Sequence, residues 1–305
     1  MPTVEVLDST MFYTEVGAGV PLVFLHGNPT SSYLWRRVVA EIAGPGRRLA
    51  PDLIGMGDSG KPAIAYRFAD HARYLEAWFE ALELDEVVLI GHDWGGALAF
   101  DWATRHRSRV RGVAFMETIV RPMSWDDLPE GAQVLFKSFR TPGVAEAMVL
   151  DQNVFIEQAL PRTIARDVAD EDIDAYRKPY PTRDTRLPLL QWPRELPLDG
   201  EPADVVARVQ AYDQWLAESP AVPKLLLTFD PGPGTMMSPA LIAWCAANIA
   251  NLDIENCGHA GHHAPEDQPD AIAAAIAAWA DRHQLRSDRP SNSAGSSMRP
   301  AQKGR

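Results

Sequence analysis

The chain has 305 residues, of which 46% are hydrophobic, and this composition is sufficient for one large domain or two modest ones. The formal net charge of −12 at pH 7 argues against nucleic acid or an anionic membrane as a partner, because neither meets a basic surface here. The two cysteines, Cys245 and Cys257, are too few for a disulfide framework and unsuited to a zinc site, and they favour a reducing, cytoplasmic location.

The two ends of the chain show no export or membrane pattern. Residues 1–10 lack a positively charged leader followed by an apolar run, so no secretory signal is expected. The longest apolar helix, predicted over 271–280, is far shorter than the roughly 20 residues that cross a bilayer. Residues 286–305 are rich in serine, proline, arginine and glycine, which predicts a disordered tail.

The first third of the chain alternates between strand and helix patterns. Strands are predicted over 12–16, 21–25 and 48–53, and helices over 31–42 and 70–82. The loop after the second strand contains Asn28, and the carboxyl end of a strand is where open α/β sheets bind ligands. The glycines of 55–60 have the spacing of a dinucleotide-binding loop, but Lys61 and a proline follow them instead of a helix, so this interpretation fails.

The chain is organised around residues 87–99, where an aliphatic run is followed by Gly-His-Asp-Trp-Gly and then by small helix-forming residues. This pattern predicts a buried strand, a sharp turn and a helix, with the nucleophile position of the turn occupied by Asp93. An aspartate with an ordinary pKa of about 3.9 is ionised near neutral pH, so it can attack a saturated carbon without a base. The alternative is that Asp93 only caps the helix, but its place between Gly91 and Gly95 favours the nucleophile.

A strand is predicted over 110–116, and Glu117 follows it directly. Glu117 is therefore expected at the same edge of the sheet as Asp93. A carboxylate in this place can orient a catalytic histidine, and a solvated loop residue is the alternative. The following segment, 122–215, is rich in proline and in spaced aromatic residues, which predicts a helical cap between core segments 1–121 and 216–285. A cleft between the cap and the core is expected to form an apolar pocket.

The sheet is predicted to resume over 224–229, with a last strand over 251–255 and a closing helix over 269–282. The loop after the last strand contains three histidines that compete for the role of catalytic base: His259, His262 and His263. Asp230, at the end of the strand over 224–229, competes with Glu117 for the role of the acid.

Four segments together resemble the haloalkane dehalogenases, most closely the subgroup whose catalytic acid is a glutamate. They are 26–35 (His-Gly-Asn-Pro-Thr-Ser-Ser-Tyr-Leu-Trp), 50–57 (Ala-Pro-Asp-Leu-Ile-Gly-Met-Gly), 92–95 (His-Asp-Trp-Gly) and 151–157, which begins Asp-Gln-Asn. The resemblance covers nearly the whole chain apart from the tail. It implies an α/β-hydrolase fold, that is, a mostly parallel central sheet flanked by helices with an inserted helical cap.

The same resemblance implies roles for individual residues. Asp93 is the expected nucleophile and Glu117 the acid, and the family pattern places the base five residues before Asp267, at His262. Asn28 and Trp94 are the expected halide-binding pair, since an amide and an indole N–H are donors that a halide can accept from. The pocket residues implied by the resemblance are Phe136, Phe155, Trp192, Pro193 and Leu196. Residues 231–237 differ from the family pattern in length and composition.

The function implied is hydrolysis of a small apolar haloalkane by water to an alcohol, a halide ion and a proton, through an ester on Asp93 and without a metal or organic cofactor. An epoxide hydrolase is the nearest alternative, for which Tyr176, Tyr180 and Tyr212 could be proposed as proton donors, but Asn28 favours a halide. A ligand-binding protein of the same fold is another alternative, against which the retained acid and base candidates argue. A serine esterase is excluded unless a serine outside the turn reacts.

Overall fold

A computed structural model describes residues 2–287, whose strands form one eight-stranded sheet in the order β1-β2-β4-β3-β5-β6-β7-β8. The strands β1 and β2, and the strands β2 and β4, pair antiparallel, whereas all other neighbours pair parallel. The strands are β1 (Thr3–Val6), β2 (Ser9–Val16), β3 (Pro21–Leu25), β4 (Arg47–Pro51), β5 (Val87–His92), β6 (Val110–Met116), β7 (Lys224–Pro231) and β8 (Leu252–Ala260).

Helices cover both faces of this sheet and fill the long connection between β6 and β7. They are α1 (Arg36–Glu41), α2 (Phe68–Ala81), α3 (Trp94–Arg105), α4 (Glu130–Phe139), α5 (Val144–Glu146), α6 (Leu160–Arg162), α7 (Asp170–Arg177), α8 (Leu187–Gln191), α9 (Ala203–Glu218), α10 (Pro239–Asn248), α11 (Ala264–Asp267) and α12 (Pro269–Arg282). Short π-helical turns, Ala147–Asp151 and Phe155–Ala159, lie between α5 and α6.

The central strands are buried on both faces, as their unbroken apolar sequences predict. Successive residues of a strand point to opposite faces, so Val23 and Leu89 enter the core beneath α2 and α3, whereas Phe24 and Ile90 enter the core beneath α1 and α12. None of these four side chains is exposed. Two apolar cores therefore sandwich the sheet, and the expected mostly parallel sheet flanked by helices is confirmed.

The elements differ from the sequence predictions at several boundaries. The helix predicted over 31–42 is a 3₁₀ turn, Ser32–Trp35, followed by the shorter α1. The edge strand β1 was not expected, and β8 continues to Ala260, so His259 lies in a strand and not in the loop that follows it. In β8 the central residues 254–256 are exposed and two of them are polar, which is tolerated on an edge strand and hides the alternation that a half-buried strand shows.

The connection between β6 and β7 is helical, and its last helix, α9, packs against α3 of the core. The division into a core of 1–121 and 216–285 and a cap of 122–215 stays a prediction. Arg286, assigned to the tail by its sequence, is buried and binds Asp281, so the packed chain extends at least to this residue. Residues 288–305 lie outside the described part. Within 2–287, every helix falls short of the length and apolarity needed to cross a bilayer.

Candidate active site

The turn between β5 and α3 places Asp93 at the carboxyl edge of the sheet. Asp93 has φ 50° and ψ −130°, a backbone conformation that a residue with a side chain rarely adopts. The neighbouring glycines permit this turn, because a Cβ on Gly91 would overlap Gly96 and a Cβ on Gly95 would overlap the carbonyl of Leu25. The hydroxyl of Thr118 donates to the Asp93 carbonyl at 2.6 Å. The strained residue is thus fixed by close packing around it.

The Asp93 carboxylate is buried, with 7% of the residue exposed, and backbone N–H groups face it. Asn28 donates its backbone N–H to Oδ2 of Asp93 at 2.8 Å. Burial raises the pKa of Asp93, while the charge of His262 and the backbone N–H groups of Asn28 and Trp94 act in the opposite direction. Gly27 leaves room for this carboxylate, since a Cβ there would overlap it. Donors from two loops therefore converge on one carboxylate.

A histidine and a glutamate complete the cluster around Asp93. Nε2 of His262 lies 4.0 Å from Oδ1 of Asp93, and Nδ1 lies 3.4 Å from Oε2 of Glu117. Glu117 is 1% exposed and accepts the backbone N–H groups of Met236 and Met237, at 2.6 and 3.4 Å. Burial lowers the pKa of His262, but the Glu117 hydrogen bond and the nearby charges of Asp93 and Glu117 outweigh it, so the pKa is raised.

The competing histidines lie elsewhere. His259 is exposed in β8, whereas His263 is buried and its Nδ1 lies 2.8 Å from the hydroxyl of Thr163. Burial and the neighbouring His262 and His92 hold the pKa of His263 well below its usual value. Neither His259 nor His263 forms a hydrogen bond or ion pair with the two carboxylates of the cluster.

The competing acid, Asp230, is exposed near the end of β7, where it accepts a hydrogen bond from the side chain of Asn256 at 3.3 Å. It makes no hydrogen bond or ion pair with a histidine. The carboxylate within hydrogen-bond distance of His262 is that of Glu117, which follows β6.

Asn28 and Trp94, whose backbone N–H groups face Asp93, also carry side-chain donors. Within residues 2–287, no hydrogen-bond acceptor meets the amide N–H groups of Asn28 or the indole N–H of Trp94, and the amide oxygen of Asn28 is buried without a partner. Trp94 is 4% exposed. The two donors are thus available to a ligand that can only accept hydrogen bonds.

The five predicted pocket residues divide into two groups. Trp192 is buried and stacks on Trp94 with ring centroids 4.7 Å apart. Phe136 and Phe155 are half-buried and pack around Phe139, at centroid distances of 6.1 and 4.8 Å. The two remaining predicted residues, Pro193 and Leu196, follow Trp192 closely in the chain, and both are buried. Of the five, Trp192 is therefore the residue with a ring contact to Trp94, the neighbour of Asp93 in the chain.

Sequence reasoning missed the two residues that hold Glu117, Met236 and Met237, because they act through their backbone N–H groups. Backbone donors leave no residue-type signal, and only the unusual composition of 231–237 drew attention to this segment. It also missed Thr118, although a hydroxyl directly after the acid could have suggested a contact with the turn. Residues 2–287 contain no group of three or more His, Cys, Asp or Glu side chains placed to hold a metal ion.

The eight-stranded sheet, the strand-turn-helix elbow and the histidine–glutamate pair at its edge define an α/β hydrolase in which the elbow carries a carboxylate. In agreement, the family model described as the alpha/beta hydrolase fold matches residues 20–155.

Individual relatives show which kind of α/β hydrolase the chain is similar to. The chain is 48% identical to a haloalkane dehalogenase of Mesorhizobium japonicum over 90% of this chain and 89% of that protein. It is 46% identical to a haloalkane dehalogenase of Sphingobium indicum, over 92% of this chain and 94% of that protein. The crystal structure of haloalkane dehalogenase DbeA from Bradyrhizobium elkani superposes with a TM-score of 0.89 and 46% identity, covering 94% of this chain and 99% of the other. The chain belongs to the haloalkane dehalogenase family, whose members are hydrolases that act on carbon–halide bonds through an ester on an aspartate.

Proposed function

We propose that this chain hydrolyses small haloalkanes to an alcohol, a halide ion and a proton, with Asp93 as the nucleophile, His262 as the base and Glu117 as the acid. The observation that carries the proposal is the contact of one histidine with both carboxylates, at 4.0 Å to Asp93 and 3.4 Å to Glu117. The histidine and the nucleophile are too far apart for a hydrogen bond, which suits a nucleophile that needs no deprotonation.

In the first step, a carboxylate oxygen of Asp93 bonds to the carbon that carries the halogen, and the carbon–halogen bond breaks with its electron pair on the halide. Negative charge thereby moves from the carboxylate to the leaving atom. The unpaired donors of Asn28 and Trp94 are proposed to bind this halide, and donors aimed at a developing charge lower the barrier.

In the second step, water attacks the ester carbonyl of Asp93 and gives a proton to His262. The backbone N–H groups that face the Asp93 carboxylate, from Asn28 and Trp94, are proposed to stabilise the oxyanion that forms. Glu117 balances the charge of the protonated His262, as the acid of a hydrolase triad does. The bond between the Asp93 carboxyl carbon and the alkyl oxygen then breaks, and this oxygen takes the second proton of the attacking water and leaves as the alcohol. Asp93 is again a carboxylate, and the proton on His262 passes to solvent.

An apolar pocket is proposed to hold the alkyl chain, formed by Trp192, Pro193, Leu196, Phe136 and Phe155. Their burial or half-burial on the cap side supports this assignment. The proposed substrate is thus small and apolar, in keeping with the acidic chain. Both cysteines are buried and unpaired, which supports the proposed cytoplasmic location.

The epoxide hydrolase alternative has less support. Two of the three tyrosines are already engaged: the hydroxyl of Tyr176 donates to Glu266 at 2.5 Å, and that of Tyr212 donates to the carbonyl of Ile119 at 2.7 Å. The hydroxyl of Tyr180 is buried, and burial raises its pKa well above the ordinary value. None of them contacts Asp93.

The proposal is tested by measuring halide and proton release from a panel of bromo- and chloroalkanes, with a simple epoxide of similar size as the comparison. We expect halide and protons in equal amounts from the haloalkanes and no diol from the epoxide. An Asp93→Asn variant is the matched control for adventitious hydrolysis. Diol formation without halide release would favour the epoxide hydrolase, and binding without any product would favour a ligand-binding protein.

A further inference from the structure

A single carboxylate, that of Asp267, closes the loop that carries His262. Its Oδ2 accepts the backbone N–H of Gly261 at 2.8 Å, directly before His262 in the chain. The same carboxylate accepts the backbone N–H groups of Ala165 at 3.0 Å and of Arg166 at 2.9 Å. Asp267 therefore joins residues 261–263, the histidine loop, to the helical connection between β6 and β7.

The histidine loop and this connection are in close contact around Asp267. The backbone N–H of His263 donates to the carbonyl of Thr163 at 3.1 Å, and the hydroxyl of Thr163 lies 2.8 Å from Nδ1 of His263. A Cβ on Gly261 would overlap the same Thr163 carbonyl. The loop has little freedom to move on this side while these contacts persist.

The backbone of His262 is also held from the sheet side. Its N–H donates to the carbonyl of Pro233 at 3.0 Å, and its carbonyl lies 2.7 Å from Nε2 of His92. The side chain, in contrast, has only the 3.4 Å contact with Glu117 as a hydrogen bond. The orientation of the imidazole therefore depends on where the loop backbone is held.

We infer that Asp267 is a positioning residue for the hydrolysis step, which keeps the His262 imidazole against Glu117 by fixing the loop to the segment 163–166. Charge-assisted hydrogen bonds to backbone N–H groups are among the stronger ones, and an asparagine offers only one accepting oxygen in place of two. The inference rests on the proposed role of His262. Because the attack of Asp93 needs no base, alkylation of Asp93 does not depend on Asp267.

The experiment compares Asp267→Asn with wild type in rapid-mixing kinetics with a bromoalkane, following halide release and the alkyl-enzyme mass. We expect ester hydrolysis to slow by on the order of 10- to 100-fold, in line with the cost of small misplacements of a reacting group. The halide burst should keep its wild-type rate, and alkyl-enzyme should accumulate during turnover. The acidic limb of the hydrolysis rate should also move to lower pH, because a loosened Glu117 contact lowers the pKa of His262.

Asp172→Asn is the matched control. Asp172 accepts hydrogen bonds from Arg36 at 2.7 Å and from Arg166 at 3.1 Å at the same junction, but makes no contact with residues 261–263. The control should leave the ratio of the two rates unchanged. Accumulation of alkyl-enzyme in Asp172→Asn to the same extent would overturn the specific role of Asp267.

Three further results would also overturn the inference: equal slowing of both steps in Asp267→Asn, a lower melting temperature with unchanged kinetics, or failure of both Asp267→Asn and Asp267→Glu to fold at low temperature. Equal slowing would mean that Asp267 supports the whole site and not the hydrolysis step, and the other two results would make Asp267 a residue of stability alone. Failure of the proposed function is distinguishable, because wild type would then release no halide or His262→Phe would trap no ester.

Discussion

The indole rings of Trp94 and Trp192 stack with their centroids 4.7 Å apart and their planes inclined by 23°. Trp94 begins α3 beside Asp93, whereas Trp192 belongs to the connection above the sheet. Trp192 also stacks on His71, a buried residue at a centroid distance of 4.1 Å, and the Trp192 indole N–H donates to the sulfur of Met56 at 3.3 Å. Trp94 therefore belongs to a group of packed rings that includes Trp192 and His71.

Removing either proposed halide donor should harm the first chemical step. In Asn28→Ala or Trp94→Leu, charge developing on the halide loses one hydrogen bond, and by analogy with single oxyanion-hole donors alkylation should slow by on the order of 10²-fold. Single-turnover halide release measures this step. Unchanged release in both variants would contradict the halide role. Phe79→Leu, which changes a buried ring stacked on Trp102, serves as the control for loss of an aromatic residue of the core.

Removing the ring of Trp192 should weaken halide binding, although both proposed halide donors, Asn28 and Trp94, remain. Trp192→Leu leaves the Trp94 N–H in place but takes away the ring that fixes its plane, so chloride and bromide should bind less tightly. The measurement is quenching of tryptophan fluorescence by titrated halide, corrected with Trp94→Phe. Wild-type affinity in Trp192→Leu would mean that Trp94 is oriented by its own helix and not by the stack.

The two steps should separate when the base is removed. His262→Phe should still form the ester on Asp93 but should not hydrolyse it, so that one equivalent of halide is released per chain and the protein gains the mass of the alkyl group. Intact-protein mass spectrometry and peptide mapping check this. His259→Phe and His263→Phe are the controls. If one of them traps the adduct while His262→Phe turns over, the base is a different histidine.

The pH dependence of hydrolysis should report the contact between His262 and Glu117. The base must be neutral to act, so hydrolysis should fall as pH drops through the pKa of His262. In the free protein the Glu117 hydrogen bond and the charges of Asp93 and Glu117 outweigh burial and raise this pKa. Once Asp93 is an uncharged ester, Glu117 is the carboxylate of the cluster that still raises it. Glu117→Gln removes one charge, so the acidic limb should shift to lower pH while the plateau rate decreases. An unshifted limb with a lower plateau would show that Glu117 does not set the pKa.

The parts of the fold that sequence reasoning predicted are those with strong local signals. The buried run before Gly91 and the small residues after it specify the elbow, because only a close approach of strand and helix requires glycine there. The end of the last strand is harder to predict: the strand predicted over 251–255 continues to Ala260 and includes His259, because the exposed Glu255 and Asn256 interrupt the apolar pattern. Family membership was predicted from the combination of motifs and is confirmed by relatives of 45–48% identity.

The site was less predictable where backbone groups and distant segments contribute. Glu117 accepts hydrogen bonds from the backbone N–H groups of Met236 and Met237. Because nearly every residue type has a backbone N–H, the sequence does not indicate which residues act as these donors. Asp267 was noticed only as a landmark for counting back to His262, because its partners in the segment 163–166 are about a hundred residues away in the chain. Contacts of this kind follow from tertiary packing, which local patterns do not encode.

The absence of a side chain at Gly27 limits how this enzyme can be altered. Any other residue there would place its Cβ on the Asp93 carboxylate, and the glycines of the elbow are equally confined by backbone atoms. A directed-evolution library aimed at new substrates gains nothing by randomising these positions. The half-buried rings of Phe136 and Phe155, which we propose line the pocket, meet other side chains instead. We therefore expect substitutions that change the substrate range to be tolerated in the connection between β6 and β7 and not around Asp93.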